Sequence, residues 1–472
     1  MTSKQVATAA ETTDRPNVLI FHVDNLGYGE LGCYGGGILR GADTKRIDAF
    51  AEDGFQLMNY APEAQCSPTR SAIMTGRYSI RSGNTKATAP GMPGGLVAWE
   101  KTMGDIFSEA GYKTLCMGKW HIGEGEGRWP TDHGFDEWYG PPFSWDCAYW
   151  SKDPWYNAER DGVETMYQGR KGEPVEKLDV IDFDFKLSVD VEMNRRTFNF
   201  LEERAEDGEP FLIYHNYSLM HIPTQPRPEY RGRSGHGDFA DSLLQLDGDF
   251  GLFLDKLDEL GLRENTIVIF AGDNGNEEYL PDRGHSGFWE GSYFTGMEGS
   301  LRTPCIVQWP GKYAAGVKSN EIMHCTDWYT TLANAAGIPV PDDREIDGID
   351  QSAWLTGEQQ ESNREGFLFW NADQLYGVKW RNFKLITKRQ TYLTDPALDL
   401  PFPWIINLDI DPKEREPFIY MHTWVINHAA KLGQAFAESV KREELIRTGA
   451  PLDFVPGPNP DAPDHQTAHR GG

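Results

Sequence analysis

The sequence predicts a doubly wound, mostly parallel α/β sheet sandwiched by helices, followed by a small C-terminal α+β subdomain. One observation is that several apolar runs of strand length are continuous rather than alternating, which is typical of strands covered on both faces. Another is that segments with helical spacing separate these runs, as in βαβ units. The predicted strands are Val18–Val23, Lys113–Met117, Phe211–Tyr217, Thr266–Ala271 and Cys305–Trp309.

Two further features complete the predicted fold. Helices are expected over Thr44–Asp53, Val189–Glu206 and Asp241–Leu260, each with apolar residues at helical spacing. Near residue 377 the pattern changes to shorter pieces, among them the strand-like Val378–Ile386 and a helical stretch over residues 417–448. The expected divisions are a disordered N-terminal segment over residues 1–15, a main α/β domain over 16–370, a small subdomain over 371–450 and a tail over 451–472, whose His465 and His469 are expected to be solvated.

The composition limits the classes of partner. The chain has 472 residues and a formal net charge of −27, which argues against nucleic acid and anionic membranes because both bind clustered Lys and Arg. The same field repels an anionic substrate, so a site for one needs its own cations and a metal. No apolar run approaches membrane-spanning length and the first 15 residues have no apolar core, so we expect a cytoplasmic protein. The six cysteines lack paired spacing, which favours neither a disulfide framework nor a zinc cluster.

The stretch that begins at Cys66 joins a lone cysteine to the start of a predicted helix. Pro68 is placed as the first helical residue, with Ser67 as cap and Gly76 as stop. Cys66 then lies at the positive end of the helix dipole, where a thiolate or a bound oxyanion is stabilised, and Arg70 adds a planar cation that grips an anion. The alternative, a buried small hydrophobe before an ordinary helix, leaves Arg70 unexplained.

Two predicted strands end in the same kind of dipeptide, Asp24-Asn25 and Asp273-Asn274. The carboxyl ends of parallel strands share one edge of a sheet, so these four oxygen donors can converge there. Hard oxygen ligands of this kind suit Ca²⁺ or Mg²⁺. The alternative is that Asp and Asn serve only as turn formers after the strands, which is common for either pair alone.

A glycine pattern over Gly27–Gly32 fits the G-x-G-x-x-G of dinucleotide-binding proteins and follows a predicted strand. However, Asp24 would stand beside the pyrophosphate, and Glu30 would occupy the helix N-terminus that receives it. The pattern therefore disfavours an oxidoreductase.

Basic residues follow two further predicted strands. In Gly118–Gly123, alternation sends Lys119 and His121 to one side of the chain and Trp120 to the other. His221 lies just after the next predicted strand. Taken alone, a solvated lysine and satisfied core histidines would explain these residues.

The pattern Cys-x-Pro-x-Arg followed by Thr-Gly-Arg resembles the signature of type I sulfatases of the alkaline phosphatase superfamily. The resemblance implies that a formylglycine-generating enzyme oxidises Cys66 to formylglycine. The hydrated aldehyde is a geminal diol, of which one hydroxyl attacks sulfur and the other later collapses to a carbonyl and expels sulfate. The substrate would be a small-molecule sulfate ester, and the products an alcohol or phenol and inorganic sulfate.

The resemblance also assigns roles to individual side chains. Arg70 and the metal would orient the diol, and Lys119 would hold a sulfate oxygen. His121 would assist sulfate release, and His221 would be the general acid. Calcium is the expected ion, with Mg²⁺ as the alternative. The implied metal ligands are Asp24, Asn25, Asp273, Asn274 and the modified Cys66, and further residues expected to bind substrate are His285 and Arg302.

Three positions depart from the family pattern. Asn25 stands where the family usually has a second aspartate, which removes one negative charge from the metal site. Tyr293 stands where the family usually supplies a second lysine, and His285 is a candidate to replace part of that charge. Ser300 replaces a glycine in the Glu-Gly-Gly-x-Arg-x-Pro loop that contains Arg302.

Two other functions fit parts of the same pattern. A phosphonate monoester or phosphodiester hydrolase makes similar demands on a metal-and-cation site, because phosphorus and sulfur form similar tetrahedral anions. An inactive carbohydrate-binding homologue would keep the fold with Cys66 as a thiol. The aromatic stretch Trp138–Tyr156, which includes Trp145 and Trp150, would favour an aryl or sugar ring if it borders the site. The sequence specifies no oligomeric state.

Overall fold

The computed structural model describes residues 15–417 and 420–460. The expectations for residues 1–14 and 461–472, including His465 and His469, lie outside the described residues. The strands are β1 (Asn17–Val23), β2 (Phe55–Ala61), β3 (Lys113–Gly118), β4 (Glu137–Gly140), β5 (Thr165–Arg170), β6 (Glu176–Val180), β7 (Phe211–Tyr217), β8 (Thr266–Gly272), β9 (Cys305–Gln308), β10 (Val317–His324), β11 (Gly366–Asn371), β12 (Gln374–Trp380), β13 (Phe383–Arg389) and β14 (Leu398–Asn407). The α-helices are α1 (Lys45–Glu52), α2 (Cys66–Thr75), α3 (Ser79–Ser82), α4 (Met103–Glu109), α5 (Ala158–Asp161), α6 (Phe183–Lys186), α7 (Val189–Asp207), α8 (Asp238–Glu259), α9 (Glu298–Leu301), α10 (Asp327–Ala335), α11 (Ser352–Leu355) and α12 (Val425–Arg442). Short 3₁₀ helices cover Gly32–Tyr34, Gly37–Arg40, Pro130–Asp132, Trp145–Lys152 and Arg263–Asn265.

Within the described residues, ten strands form one mixed sheet in the order β10-β2-β9-β8-β1-β7-β3-β4-β5-β6. The central strands β8, β1, β7, β3 and β4 run parallel, and β1, β7 and β8 are buried along their whole length. Helices cover both faces of these strands. Residues of α1, α7 and α8 pack with Leu19 and Phe21 of β1, whereas those of α2, α4 and α10 pack with Val18 and Ile20 on the opposite face. The predicted doubly wound fold class is confirmed.

The predicted central strands and long helices lie at the expected places, but the C-terminal part needs correction. The stretch Val378–Ile386 is divided between β12 and β13, because Arg381 turns the chain with a positive φ of 50°. The division expected at residue 371 falls inside β11, so the second sheet begins at Gly366. The expected long helix is limited to α12. The start of the expected tail is tied down, since the Ala98 N–H donates to the Leu452 carbonyl at 2.9 Å.

The pairing register of the central strands decides which residues leave the sheet together. Val23 of β1 pairs with Tyr217 of β7 and with Gly272 of β8. Asp24 and Asp273, the next residues along β1 and β8, therefore emerge side by side at the carboxyl edge. Strand β3 also ends at this edge, because it pairs in parallel with β7. One edge of the sheet thus collects the strand ends that the sequence analysis singled out.

The second sheet is antiparallel and has the order β11-β12-β13-β14, with α12 packed against it. This arrangement is the small C-terminal α+β unit that the composition change predicts. Among the described residues, no helix combines the length and the apolar character needed to cross a bilayer.

A buried group of charges joins the two sheets. Glu298, the first residue of α9, pairs with Arg302 at 2.7 Å, with Lys379 of β12 at 2.7 Å and with Lys384 of β13 at 3.5 Å. Lys384 also pairs with Glu414 at 2.7 Å. Each of these side chains is at most 1% exposed, and we call the five residues the Glu298 network. Burial opposes its charge, but the three cations hold the pKa of Glu298 well below its ordinary value.

Replacing Lys379 with methionine tests the contribution of the Glu298 network to stability. The change leaves Glu298 short of one buried cation, so we expect the free energy of unfolding to fall by about 3–5 kcal/mol. Urea unfolding followed by circular dichroism measures this. Lys45→Met removes the exposed pair of Lys45 with Asp43 and should leave the urea midpoint unchanged. Equal midpoints for the two variants would contradict the role assigned to the network.

Candidate active site

Cys66 is the first residue of α2, so the helix begins two residues earlier than predicted. Gln65, rather than Ser67, is the N-cap and has an extended conformation. Pro68 is tolerated at the third position, because the first four N–H groups of a helix have no partner within it. Gly76 ends the helix in the left-handed conformation with φ 69°, as predicted. Cys66 itself therefore lies in the first turn, at the positive end of the helix dipole.

The Cys66 side chain is a buried free thiol. Its Sγ lies 3.3 Å from Nδ1 of His121. Burial raises the pKa of the thiol to about 11, although the nearby Lys119 lowers it. The thiol is therefore neutral near pH 7, and not the thiolate that the helix dipole alone would favour.

The Arg70 guanidinium connects α2 to the two strand ends. Its Nη2 lies 3.2 Å from Oδ2 of Asp24 and 2.8 Å from Oδ2 of Asp273. Its Nη1 donates to the Asn216 side-chain oxygen at 2.6 Å and to the Lys119 carbonyl at 2.8 Å. All of these side chains are fully buried. Residue 66 and the aspartates of β1 and β8 therefore belong to one site.

The two aspartates respond differently to the same burial. Burial opposes the charge of Asp24, but Lys119, whose Nζ lies 2.9 Å from its Oδ2, holds the pKa of Asp24 well below its ordinary value. For Asp273, burial and the charge of Asp24 together raise the pKa to about 7. The pair therefore carries two carboxylates that compete for the same cations.

Oxygen atoms suited to a cation converge beside these carboxylates. Among the described residues, Oδ1 of Asp24 and Oδ1 of Asn274 are buried without a hydrogen-bond partner, which is costly for polar atoms. The Asn274 Nδ2 donates to Oδ1 of Asn25 at 2.7 Å, so the predicted ligands are in contact. No group of three or more His, Cys, Asp and Glu side chains in the described chain is arranged to hold a metal, and here two of the four ligands are amides. The donor set fits a hard divalent cation.

Lys119 and His121 extend from the end of β3 toward the same site. Trp120, between them, is fully buried in the core, in keeping with the predicted alternation. His121 has a positive φ of 60°, and Asn25 has one of 57°. Left-handed backbone at residues other than glycine is strained and concentrates at functional sites. The backbone strain therefore coincides with the predicted site residues.

The hydrogen bonds of His121 determine which ring nitrogen carries the proton. Its Nε2 lies 2.9 Å from the Thr88 carbonyl, which only accepts. The proton therefore resides on Nε2, and Nδ1 presents a lone pair to position 66. Burial and the charge of Lys119 lower the pKa of His121 well below its ordinary value, so the ring is neutral.

Ser144 is a site residue that the sequence analysis missed. Its Oγ lies 3.2 Å from Nζ of Lys119 and 2.8 Å from Nε2 of His221. The Nδ1 of His221 lies 2.8 Å from the Ile222 carbonyl and must carry the proton, so Nε2 accepts from the serine hydroxyl. Burial lowers the pKa of His221 to about 4. Lys119, Ser144 and His221 therefore form one chain of hydrogen bonds.

Three residues expected at the substrate lie elsewhere. Arg302 is at most 1% exposed and pairs with Glu298 in the Glu298 network, so its charge is already used. His285 lies in an exposed loop, where its Nδ1 accepts from the Gly287 N–H at 2.9 Å. Trp145 is fully buried and offers no face to a ring. The expectations for these residues are corrected accordingly.

The glycine pattern near β1 also has a structural explanation. A Cβ at Gly27 would lie 2.5 Å from the His285 carbonyl oxygen, and one at Gly29 would meet the backbone of Gly287. Glu30 is buried and pairs with Arg40 at 2.8 Å. These glycines permit close packing of two loops, and Glu30 occupies the space that a dinucleotide would need.

The fold and the site define an enzyme of the alkaline phosphatase superfamily, with a buried nucleophile position, flanking cations and oxygen donors at one sheet edge. The family model described as "Sulfatase" matches residues 16–338, and that described as "N-sulphoglucosamine sulphohydrolase, C-terminal" matches residues 284–436. The chain therefore belongs to the sulfatase family, and is an arylsulfatase-like sulfuric ester hydrolase.

Similar proteins agree with this assignment. The chain is 33% identical to human arylsulfatase A over 380 residues, which cover 77% of this chain and 72% of that protein. It is 31% identical to arylsulfatase G of Rattus norvegicus over 375 residues, which cover 74% and 70%. The crystal structure of the PsFucS1 sulfatase from Pseudoalteromonas sp. is 31% identical and covers 92% of each chain, with a TM-score of 0.86.

Ser144→Ala tests the hydrogen-bond chain. The variant removes the hydroxyl between Lys119 and His221, so we expect kcat/KM for a sulfate ester to fall by about 10- to 100-fold, or ~1.4–2.7 kcal/mol. Steady-state kinetics measure this. Ser151→Ala, in the same 3₁₀ segment but bonded only to Ala148 and Phe183, is the matched control and should keep wild-type kinetics. Wild-type kinetics for Ser144→Ala as well would show that the chain is dispensable.

Proposed function

We propose that this enzyme hydrolyses the sulfate monoester of a small organic molecule to an alcohol or phenol and inorganic sulfate, using formylglycine made from Cys66 and a divalent metal. The observation that carries the proposal is the position of Cys66. It begins a buried helix 3.3 Å from His121, and Arg70 of the same helix reaches both Asp24 and Asp273. Nucleophile position, anion-binding cations and oxygen donors are thus joined in one pocket.

The state of the thiol supports modification of Cys66. With a pKa of about 11, the unmodified side chain is a poor nucleophile at neutral pH. Formylglycine, formed by a formylglycine-generating enzyme, would supply a hydrated aldehyde whose hydroxyl attacks sulfur. Its neighbours are suited to such a group, because the His121 Nδ1 lone pair faces position 66 and can accept a hydroxyl proton there.

The metal would be held by Asp24, Asn25, Asp273 and Asn274, with Ca²⁺ as the proposed ion and Mg²⁺ as the alternative. The unpartnered buried oxygens of Asp24 and Asn274 support this set. A bound divalent cation would supply Lewis-acid stabilisation of charge on the reacting oxygens. Lys119 and Arg70 add two fixed positive charges beside the same position, which favour an entering sulfate group.

His221 is proposed as the general acid for the leaving group. In the substrate-free site burial keeps its pKa near 4, and its Nε2 accepts from Ser144. An anionic substrate beside it favours the protonated imidazolium, because an opposite charge raises the pKa of a histidine. The chain from Lys119 through Ser144 leads to Nε2 and holds the ring in place. His221 would then donate its Nε2 proton to the departing oxygen.

Mass spectrometry of the peptide that contains Cys66 tests the proposed nucleophile. Protein from the native host should carry the aldehyde, and Cys66→Ala should lose activity toward an aryl sulfate, because no other group can attack from position 66. A matched aryl phosphate is the substrate control and should react with lower kcat/KM than the sulfate. An unmodified thiol in active enzyme, or a preference for the phosphate, would refute the proposal.

His221→Ala tests the proposed general acid through its dependence on the leaving group. An alkyl or sugar alcohol needs protonation as it leaves, so kcat/KM for such a sulfate should fall by about 10²- to 10⁴-fold. A 4-nitrophenyl sulfate should lose far less, because its phenolate departs readily. His285→Ala, in the exposed loop, is the control and should leave both substrates unaffected. An equal loss on both esters for His221→Ala would exclude the general-acid role.

A further inference from the structure

A buried carboxylate lies one residue beyond the proposed metal ligands. Glu277 is 1% exposed and follows the Asp273-Asn274 strand end by three residues. Its Oε2 accepts from the Asn25 Nδ2 at 3.3 Å. Its Oε1 accepts from the Tyr293 hydroxyl at 2.8 Å. Glu277 therefore touches both residues at which this chain departs from the family pattern.

The donors around Glu277 determine its charge state. Two backbone N–H groups, of Glu278 at 2.8 Å and of Tyr279 at 3.2 Å, add to the donors from Asn25 and Tyr293. Four donors directed at two oxygens match an ionised carboxylate, which only accepts. A protonated Glu277 would direct its own hydrogen at one of these donors. The geometry therefore calls for a negative charge at Glu277.

This carboxylate orients the two amide ligands in turn. Because Glu277 only accepts, the Asn25 side chain must present Nδ2 to it and Oδ1 to the other side. That Oδ1 accepts from the Asn274 Nδ2 at 2.7 Å, and the Asn274 Nδ2 also donates to the Gly275 carbonyl at 2.8 Å. The Asn274 Oδ1 is left facing the cation position. The relay thus runs from Glu277 through Asn25 to Asn274.

Charge balance gives Glu277 a second effect. The carboxylates of Asp24 and Asp273 are already met by the cations of Arg70 and Lys119 at 3.2 Å or less. A divalent cation entering this group finds two negative and two positive side chains, and Asn25 adds no charge. Glu277 is a further buried anion in contact with the ligand set. Its charge therefore favours the cation over a low-dielectric distance.

We propose that Glu277 is a positioning residue for the divalent cation, which fixes the amides of Asn25 and Asn274 and supplies the negative charge that Asn25 lacks, with Tyr293 holding it in place. The proposal rests on the proposed function, because it needs a divalent cation at this site. It explains why an asparagine and a tyrosine occur together here: both donate to the same carboxylate. An aspartate at residue 25 would instead face Glu277 with a like charge.

Calorimetric titration of Ca²⁺ into the metal-stripped full chain tests this role without using activity. Glu277→Gln should raise the Kd for Ca²⁺ by about 10- to 100-fold, the usual effect of removing a group that orients metal ligands. Glu278→Gln is the matched control, because Glu278 accepts from Ser292 and Leu393 and not from Asn25. It should bind within about twofold of wild type, as expected for a carboxylate that orients no ligand.

A double variant separates the relay from a general loss of charge. Asn25→Asp with Glu277→Gln exchanges the amide and the carboxylate, so the hydrogen bond is kept with its direction reversed. We expect this variant to bind Ca²⁺ at least as tightly as wild type. If Glu277→Gln loses its native circular dichroism, the double variant still decides, because its pairing is intact.

The outcomes are distinct. A Glu277→Gln variant that binds like wild type, or a double variant that binds no better than Glu277→Gln, would overturn the inference while leaving the proposed function standing. Absence of Ca²⁺ and Mg²⁺ binding by the wild-type chain would overturn the metal of the proposed function together with this inference.

Discussion

The site depends on one buried ion pair network, in which the Arg70 guanidinium lies between the carboxylates of Asp24 and Asp273. Two carboxylates buried this close repel each other, and removing the intervening cation would leave uncompensated charge in a low-dielectric interior. Because Arg70 belongs to α2, the same contact fixes the start of that helix against the sheet edge. The position of Cys66 is therefore a consequence of electrostatics as well as of helix geometry.

The sheet supplies the precision that this network needs. Parallel pairing of β1 with β7 and β8 brings Asp24 and Asp273 to the same edge, and β3 delivers Lys119 and His121 there. Rigid elements of this kind hold side chains more closely than loops do. The loops provide the remaining parts, among them Ser144, which joins Lys119 to His221. The site thus combines a fixed cation cluster with a hydrogen-bond chain supplied from an adjacent segment.

The part that could be predicted from sequence is the part with a pattern. Asp24 and Asp273 were accessible because each follows a continuous apolar strand, and Cys66 because its neighbours have fixed spacing. Ser144 and Glu277 have no such signal, since their partners lie 77 and 252 residues away in the chain. Arg302 was expected at the substrate because a cation in a family loop does not reveal its partner, which proved to be the buried Glu298. The start of α2 differed because Pro68 fits the third helical position as well as the first.

The Glu298 network makes the two sheets inseparable. Glu298 and Arg302 belong to the larger sheet's side of the boundary, whereas Lys379, Lys384 and Glu414 come from the smaller one. A chain cut before Gly366 would expose an apolar surface and would also strip Glu298 of two of its three counter-ions. Trimming this enzyme to its catalytic half is therefore not a neutral simplification, because the discarded half carries charges on which the retained half relies.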